Sequence, residues 1–402
     1  MHPNQKYIVV HAGKRDDYQV ALALAESNML FVLVTEAYFP LDKKWFVSLA
    51  NFFGITSALH KRYKTGLPSA LVVVSKRALF YQILFSFTKN IQFDIQKGYV
   101  LGEKAKQLSL KYKLPVIAVN TCAKHAFHNN PIEPKIVFQF HPQADFVKEL
   151  FLEEMQLNPK SEKTLLQEYE FSLSQNQLEV LSSEVKLATH FLCASSLTKR
   201  TLVYKGISED KIKVIPYGVD TSKFTFSERK PSDVFQVIFI GSLNQRKGIT
   251  YLLDAMSEMK NVELTIITRG IYDASLLQNY NFPIDVVIDV PHEKLQEALH
   301  QAHCFVLPSI LEGFGQVILE AMATGIPVIA TENTAANDII ENGKEGFVTP
   351  IRDIQAIKES LEQLQSNTFL AQSIGKAAYE KAKIYSWEKF RKDLVTHIKS
   401  LT

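Results

Sequence analysis

The chain has 402 residues, 46% of them hydrophobic and 22% charged, a balance that predicts a fully folded globular protein of two domains and excludes long disorder. Its 45 basic and 42 acidic residues leave a net charge of +3, too small an excess for a nucleic-acid footprint. Three scattered cysteines, Cys122, Cys193 and Cys304, have neither disulfide-framework nor zinc-type spacing, so a reducing cytoplasm is the expected setting.

The first apolar stretch, 7–10, is too short for the core of a signal peptide. Short β-branched runs then recur at 7–11, 31–35, 70–75, 116–120 and 136–140, with longer amphipathic segments between them. Strands alternating with helices predict parallel α/β units. Runs such as 70–74 and 78–87 are bounded by Lys76, Arg77 and Lys89, well short of the ~20 residues of a membrane span. A Glu- and Lys-rich stretch, 153–184, reads as one or two exposed helices before a short strand at 191–194. After Pro216-Tyr217-Gly218 the rhythm restarts, with strands expected at 237–240, 262–268, 286–290, 304–307 and 327–331. That restart places the domain boundary. Helical spacing from Trp387 through Phe390, Leu394 and Ile398 predicts a final helix.

The chemistry concentrates in the second half. Val306-Leu307-Pro308-Ser309 ends a buried strand; Glu312-Gly313-Phe314-Gly315 is a glycine-bearing turn; a helix follows that carries Glu320. A crevice at the carboxyl ends of parallel strands, facing a helix N-terminus, suits a diphosphate. Gly313 and Gly315 let the backbone approach closely. Glu312 and Glu320 offer carboxylates to the hydroxyls of a sugar and a ribose. A second strand–loop–helix unit, Gly241-Ser242-Leu243-Asn244-Gln245-Arg246-Lys247-Gly248, brings two adjacent cations able to neutralise a leaving pyrophosphate. Read alone, each feature is also ordinary: a capping glutamate, a solvated Arg-Lys pair.

Together these motifs, with Gly325-Ile326-Pro327-Val328, Glu345-Gly346-Phe347-Val348 to Asp353, and the approach from Ala188 through Ser195-Ser196 to Tyr217-Gly218-Val219-Asp220, resemble the retaining glycosyltransferases of family 4. The resemblance covers most of the chain and is strongest in the C-terminal half. It implies the GT-B fold, two Rossmann-like α/β domains separated by a cleft: residues 1–217 on the acceptor side and 218–384 holding the nucleotide sugar. The helix 385–402 would return to the first domain with Trp387 as its anchor. It also implies Lys247 on the donor diphosphate, Glu312 on the transferred sugar, Glu320 on the ribose, and backbone N–H groups of Phe314 and Gly315 beside the hexose. Many relatives carry arginine where this chain has Ser242, and Arg246 is placed to take over that charge.

The loop His11-Ala12-Gly13-Lys14 resembles the family's first strand-to-helix loop, which faces the donor phosphates. Taken alone Gly13 is equally a tight turn, and no Gly-x-Gly-x-x-Gly supports a nicotinamide enzyme. The family places a sugar-positioning histidine after an N-domain strand, for which His141 is preferred over His125.

The expected donor is a UDP- or GDP-linked sugar, with no separate cofactor and no metal, and the acceptor is a glycan, a lipid-linked glycan or a small molecule. Two alternatives share the fold or the site, a non-hydrolysing nucleotide-sugar epimerase and a nucleotide-sugar-binding partner without turnover. The basic, aromatic stretch from Lys43-Lys44-Trp45-Phe46 through Leu49, Phe52 and Phe53 to Lys61-Arg62-Tyr63-Lys64 reads either as a core-facing helix or as a peripheral contact with the inner face of the membrane.

Overall fold

The computed structural model describes residues 5–14, 16–52, 59–229 and 232–401. Two parallel sheets organise the chain. The first contains β1 (Tyr7–Val10), β2 (Leu30–Thr35), β3 (Val72–Val74), β4 (Val116–Val119), β5 (Lys135–Gln139), β6 (His190–Cys193) and β7 (Ile212–Val214), in the order β3-β2-β1-β4-β5-β6-β7. The second contains β8 (Phe235–Ile240), β9 (Val262–Thr268), β10 (Ile284–Ile288), β11 (Cys304–Leu307), β12 (Val328–Thr331) and β13 (Phe347–Thr349), in the order β10-β9-β8-β11-β12-β13.

Central strands are covered on both faces, which is why β1, β4 and β11 are unbroken apolar runs and β12 departs from one only at Thr331, with every residue of the four buried. The strand order reverses between β1 and β4 and between β8 and β11, and a ligand crevice opens at the carboxyl ends of such neighbours. The loops there begin at His11, Asn120, Gly241 and Pro308.

Several boundaries differ from the sequence expectation for local reasons. β7 and β13 are three-residue edge strands, too short to register in the apolar rhythm. β10 lies two residues earlier than expected, because Asp289 takes a left-handed φ of 57° and ends it. β3 stops at Val74, because the Ser75 hydroxyl accepts from the Ala78 amide and starts the helix Lys76–Thr88.

The stretch 153–184 does not form simply exposed helices. Glu154 and Glu184 are buried, and Leu165 shares one apolar cluster with the core of the second sheet. Part of the polar composition is spent on interior hydrogen bonds, while Glu153, Lys160, Glu162, Lys163 and Glu179 face solvent as expected.

The C-terminal helix Trp387–Ser400 starts at Ser386, whose hydroxyl accepts from Lys389 N–H. It buries Phe390, Leu394 and Ile398 against the first domain, and Arg391 reaches Glu26 at 2.8 Å and Gln19 at 2.9 Å. Phe390 is fully buried, whereas Trp387 is partly buried and packs its ring on Tyr217 and Phe390. At this crossing a Cβ on Gly218 would lie 2.2 Å from the Trp387 nitrogen. Only glycine lets the outgoing and returning strands of chain pass so closely.

Candidate functional site

The second-domain wall is built from the loops after β8 and β11. Beyond Ile240 the chain turns through Asn244, whose side-chain oxygen accepts from the Lys247 amide. It then passes Gly248 at φ 67°, where a Cβ would sit 1.9 Å from the Pro308 carbonyl oxygen. That glycine locks the cation turn against the end of β11. Lys247 Nζ is in direct contact with Glu312, and the Arg246 guanidinium lies 3.9 Å from the same carboxylate. Burial and the neighbouring Arg246 push the Lys247 ammonium down to about 7, with Glu168 acting the other way.

Glu312 leads into Gly313, where a Cβ would meet the Phe140 carbonyl of the first domain at 2.6 Å, so the two walls touch there. The Gly313 carbonyl accepts from Ser195 Oγ at 2.5 Å. Gly315, at φ 82°, is the left-handed residue before the helix Gln316–Ala323. Phe314 is buried on Tyr217, ring centroids 4.9 Å apart. Glu320 lies on that helix, 8% exposed, and meets His292 Nε2 at 2.9 Å. This hydrogen bond raises the His292 pKa above its ordinary value. Ser242 is exposed at the end of β8.

Across the cleft a cavity of about 390 Å³ is lined by Gly13, His141, Asp94, Glu184 and Arg246, among others. His141 is therefore on the same cavity as the second-domain cation. His125 is not among its lining residues: it packs on Tyr99, centroids 4.1 Å apart, with Glu103 at 3.5 Å. Gly13 lies on the cavity, but its N–H donates to both Glu36 oxygens at 3.1 and 3.0 Å, so in this arrangement the amide is engaged inside the first domain and not offered to a phosphate. Burial opposes ionisation of Glu36, yet Arg62 at 2.8 Å and the Gly13 amide hold its pKa below the usual range.

Sequence reasoning missed a set of buried and half-buried carboxylates that support this site. Glu168 accepts from Asn244 Nδ2 at 2.8 Å and from Arg246 at 3.0 Å. Glu154, fully buried, accepts from Gln245 Nε2 at 2.8 Å, Tyr251 hydroxyl at 2.8 Å and Arg352 Nε at 2.7 Å. Two carboxylates from the segment before β6 thus grip the cation turn after β8. Removing one partner of such a buried pair typically costs about 3–5 kcal/mol. Glu184 accepts from the Thr121 and Lys124 amides, and burial pushes it up to about 7. No local signal marks these residues, because their partners lie 60 to 198 positions away. Among the described residues, no three His, Cys, Asp or Glu side chains converge as metal ligands would.

Residues 220–381 match the family described as glycosyl transferases group 1. The chain is 30% identical over 188 residues to the putative colanic acid biosynthesis glycosyltransferase WcaL of Salmonella typhimurium, covering 42% of this chain and 46% of that protein. It is also 30% identical over 214 residues to the capsular polysaccharide biosynthesis glycosyltransferase CapM of Staphylococcus aureus, 47% of this chain and 55% of that one. The chain thus spans about half the length of the curated relatives it matches. Along almost its whole length it superposes on sucrose-phosphate synthase from Thermosynechococcus elongatus, with a TM-score of 0.67, 17% identity and 99% of each chain covered. The HepE protein of Anabaena, solved with UDP-glucose, gives a TM-score of 0.63 at 16% identity, covering 98% of this chain and 100% of that one. The architecture is GT-B.

Proposed function

We propose that the protein is a retaining glycosyltransferase of the family 4 type. It transfers a hexosyl residue from a UDP- or GDP-linked sugar to a hydroxyl of a glycan, lipid-linked or small-molecule acceptor. The observation that supports this reading is the convergence of Arg246, Lys247 and Glu312 at the carboxyl ends of β8 and β11, where Arg246 alone of the three also lines the cavity that His141 lines. Two cations beside a glycine turn match a diphosphate, and Glu312 and Glu320 match the hydroxyls of a sugar and a ribose. Relatives named for colanic acid and capsular polysaccharide synthesis favour a glycan acceptor.

In this reading Glu312 neutralises Lys247 until the donor arrives. Phosphate oxygens then replace the carboxylate at the ammonium, and Glu312 turns to the sugar. The acceptor oxygen attacks the anomeric carbon from the face on which the diphosphate leaves. The bond to the phosphate oxygen breaks as the new glycosidic bond forms, and the acceptor proton passes to the departing phosphate oxygen. Lys247 and Arg246 stabilise the negative charge that develops there, and His141 positions the sugar. The setting that goes with this chemistry is cytoplasmic, with acceptors presented in solution or from the inner membrane face.

Nucleotide diphosphate release, measured over a panel of nucleotide sugars with and without acceptor glycans, is the direct test. The expected result is acceptor-dependent release from a UDP- or GDP-sugar, with the donor's anomeric configuration kept in the product by NMR. An inverted product would overturn the retaining course. Interconversion of nucleotide sugars without any acceptor would identify an epimerase instead.

A further inference from the structure

We infer that the outer face of the helix Lys76–Thr88, together with Trp45, is a docking surface for an anionic lipid bilayer. Phe80, Ile83 and Phe87 recur at i, i+3 and i+7 and form one stripe on that helix. They are 56%, 45% and 84% exposed. Scattered exposed apolar residues need no explanation, but an aligned stripe on one helix face does. The inner face of the same helix is fully used: Tyr81 stacks near Phe93, Gln82 accepts from Lys97 Nζ at 2.8 Å, and Phe85 lines the cleft cavity. The stripe is therefore surplus to the core of the first domain.

Charge selects the occupant. From Lys43 to Phe93 the chain has eight Lys and Arg residues and no Asp or Glu, whereas the rest of the molecule is net acidic. Within this stretch Lys43, Lys44, Lys61, Lys76, Arg77 and Lys89 are exposed. Because β2 and β3 are parallel neighbours at one edge of the sheet, the helices that follow them, Lys44–Phe52 and Lys76–Thr88, start from the same end of that edge. Trp45, 64% exposed beside Lys43 and Lys44, joins the same cationic rim. Leu49, Phe52 and Phe53, which the sequence grouped with Trp45, lie outside the residues or side chains described. Apolar side chains between Lys76 and Arg77 at one end of the helix and Lys89 at the other, with Asp42 beside Lys43 turned to the Ser69 amide and Asp94 paired with Lys97, match an interfacial helix on an anionic bilayer. No described helix is long and apolar enough to cross one.

The docking face and the cleft cavity share this helix as a common wall. A lipid-anchored acceptor would then sit with its head group next to Asp94, Lys97 and His141. That consequence rests on the transferase reading; the docking itself does not.

The test is co-sedimentation of the full chain with phosphatidylcholine vesicles with and without about one-third phosphatidylglycerol, at low and high salt. Binding is expected only to the anionic vesicles, falling several-fold at high salt. In Phe80→Ser/Ile83→Ser/Phe87→Ser the bound fraction should fall by roughly tenfold, with circular dichroism unchanged. If that variant misfolds, Lys76→Gln/Arg77→Gln/Lys89→Gln serves instead, with the same loss expected. A wild type that stays in the supernatant with anionic vesicles at low salt overturns the proposal. So does a dimer that the apolar variant splits while vesicle binding is unchanged, which would assign the stripe to a second copy of this chain. A protein that sediments yet turns over no nucleotide sugar overturns the transferase reading alone.

Discussion

The two walls of the cleft are built in different ways. The second-domain wall comes from a few strand–loop–helix units, each contiguous in the chain: the cation turn after β8 and the Glu312–Gly315 turn after β11, with its helix. The first-domain wall gathers Gly13, Asp94, Asn120, His141 and Glu184 from five separate segments. A local unit shapes its own turn, as the positive φ at Gly248 and Gly315 shows, and needs only a few distant anchors, here Glu154 and Glu168. A composite wall depends on long-range hydrogen bonds and burial. One wall therefore suits a constant ligand such as a diphosphate, and the other can be rebuilt segment by segment to suit an acceptor.

The largest effect should come from Glu312, the carboxylate that the proposed function puts at the reacting sugar. Glu312→Ala is expected to lower transfer by about 10²–10³-fold while nucleotide diphosphate affinity changes far less, since misorientation costs rate. Steady-state kinetics beside calorimetry would show it, and near-normal turnover would remove Glu312 from the reaction. Lys247→Ala should follow, weakening nucleotide diphosphate binding and slowing transfer together, each by roughly 10–100-fold, because one ammonium meets both ground-state and developing charge. Unchanged diphosphate affinity by calorimetry would break the assignment of the cation turn to the phosphates.

The same contrast explains what was legible in the sequence. Gly241 to Gly248 and Glu312 to Glu320 could be read because strand, turn residues and charged groups stand in one short window. The doubly wound fold was legible for a similar reason, as most strands are buried apolar runs between amphipathic helices. The supporting carboxylates were not. Glu154, Glu168 and Glu184 sit in a polar stretch whose composition is that of a solvated helix, and only their distant partners draw them from solvent. Gly13 shows the converse limit: its loop resembles a phosphate loop, yet Glu36, 23 positions on, takes its amide.

Glu184 offers a smaller effect, specific to the composite wall. Its native pKa of about 7 lies above the unfolded value, so the native state binds more protons through the window between the ordinary carboxylate range and about 7. Stability must then fall as pH rises through that window, with the cost fully present above about 7. Glu184→Gln should flatten this dependence by about 1–3 kcal/mol between pH 5 and pH 8. Urea denaturation at the two pH values would measure it. Parallel curves for the two proteins would mean that the amides of Thr121 and Lys124 already compensate the buried charge.

The smallest expected effect is that of a chelator, and it sharpens the comparison most directly. A diphosphate leaving group needs positive charge where the bond breaks, supplied either by a divalent ion or by fixed cations. Arg246 and Lys247 stand side by side on the second wall, paired with Glu168 and Glu312, and the proposed function puts them at that bond. A metal would have to compete with two cations for the same phosphate oxygens and would be repelled by them. Treatment with EDTA should therefore change the transfer rate by less than about twofold, and Lys247→Ala should not be rescued by added magnesium or manganese. A large loss on chelation, restored by either ion, would mean that the cation turn holds the donor but does not carry the leaving-group charge.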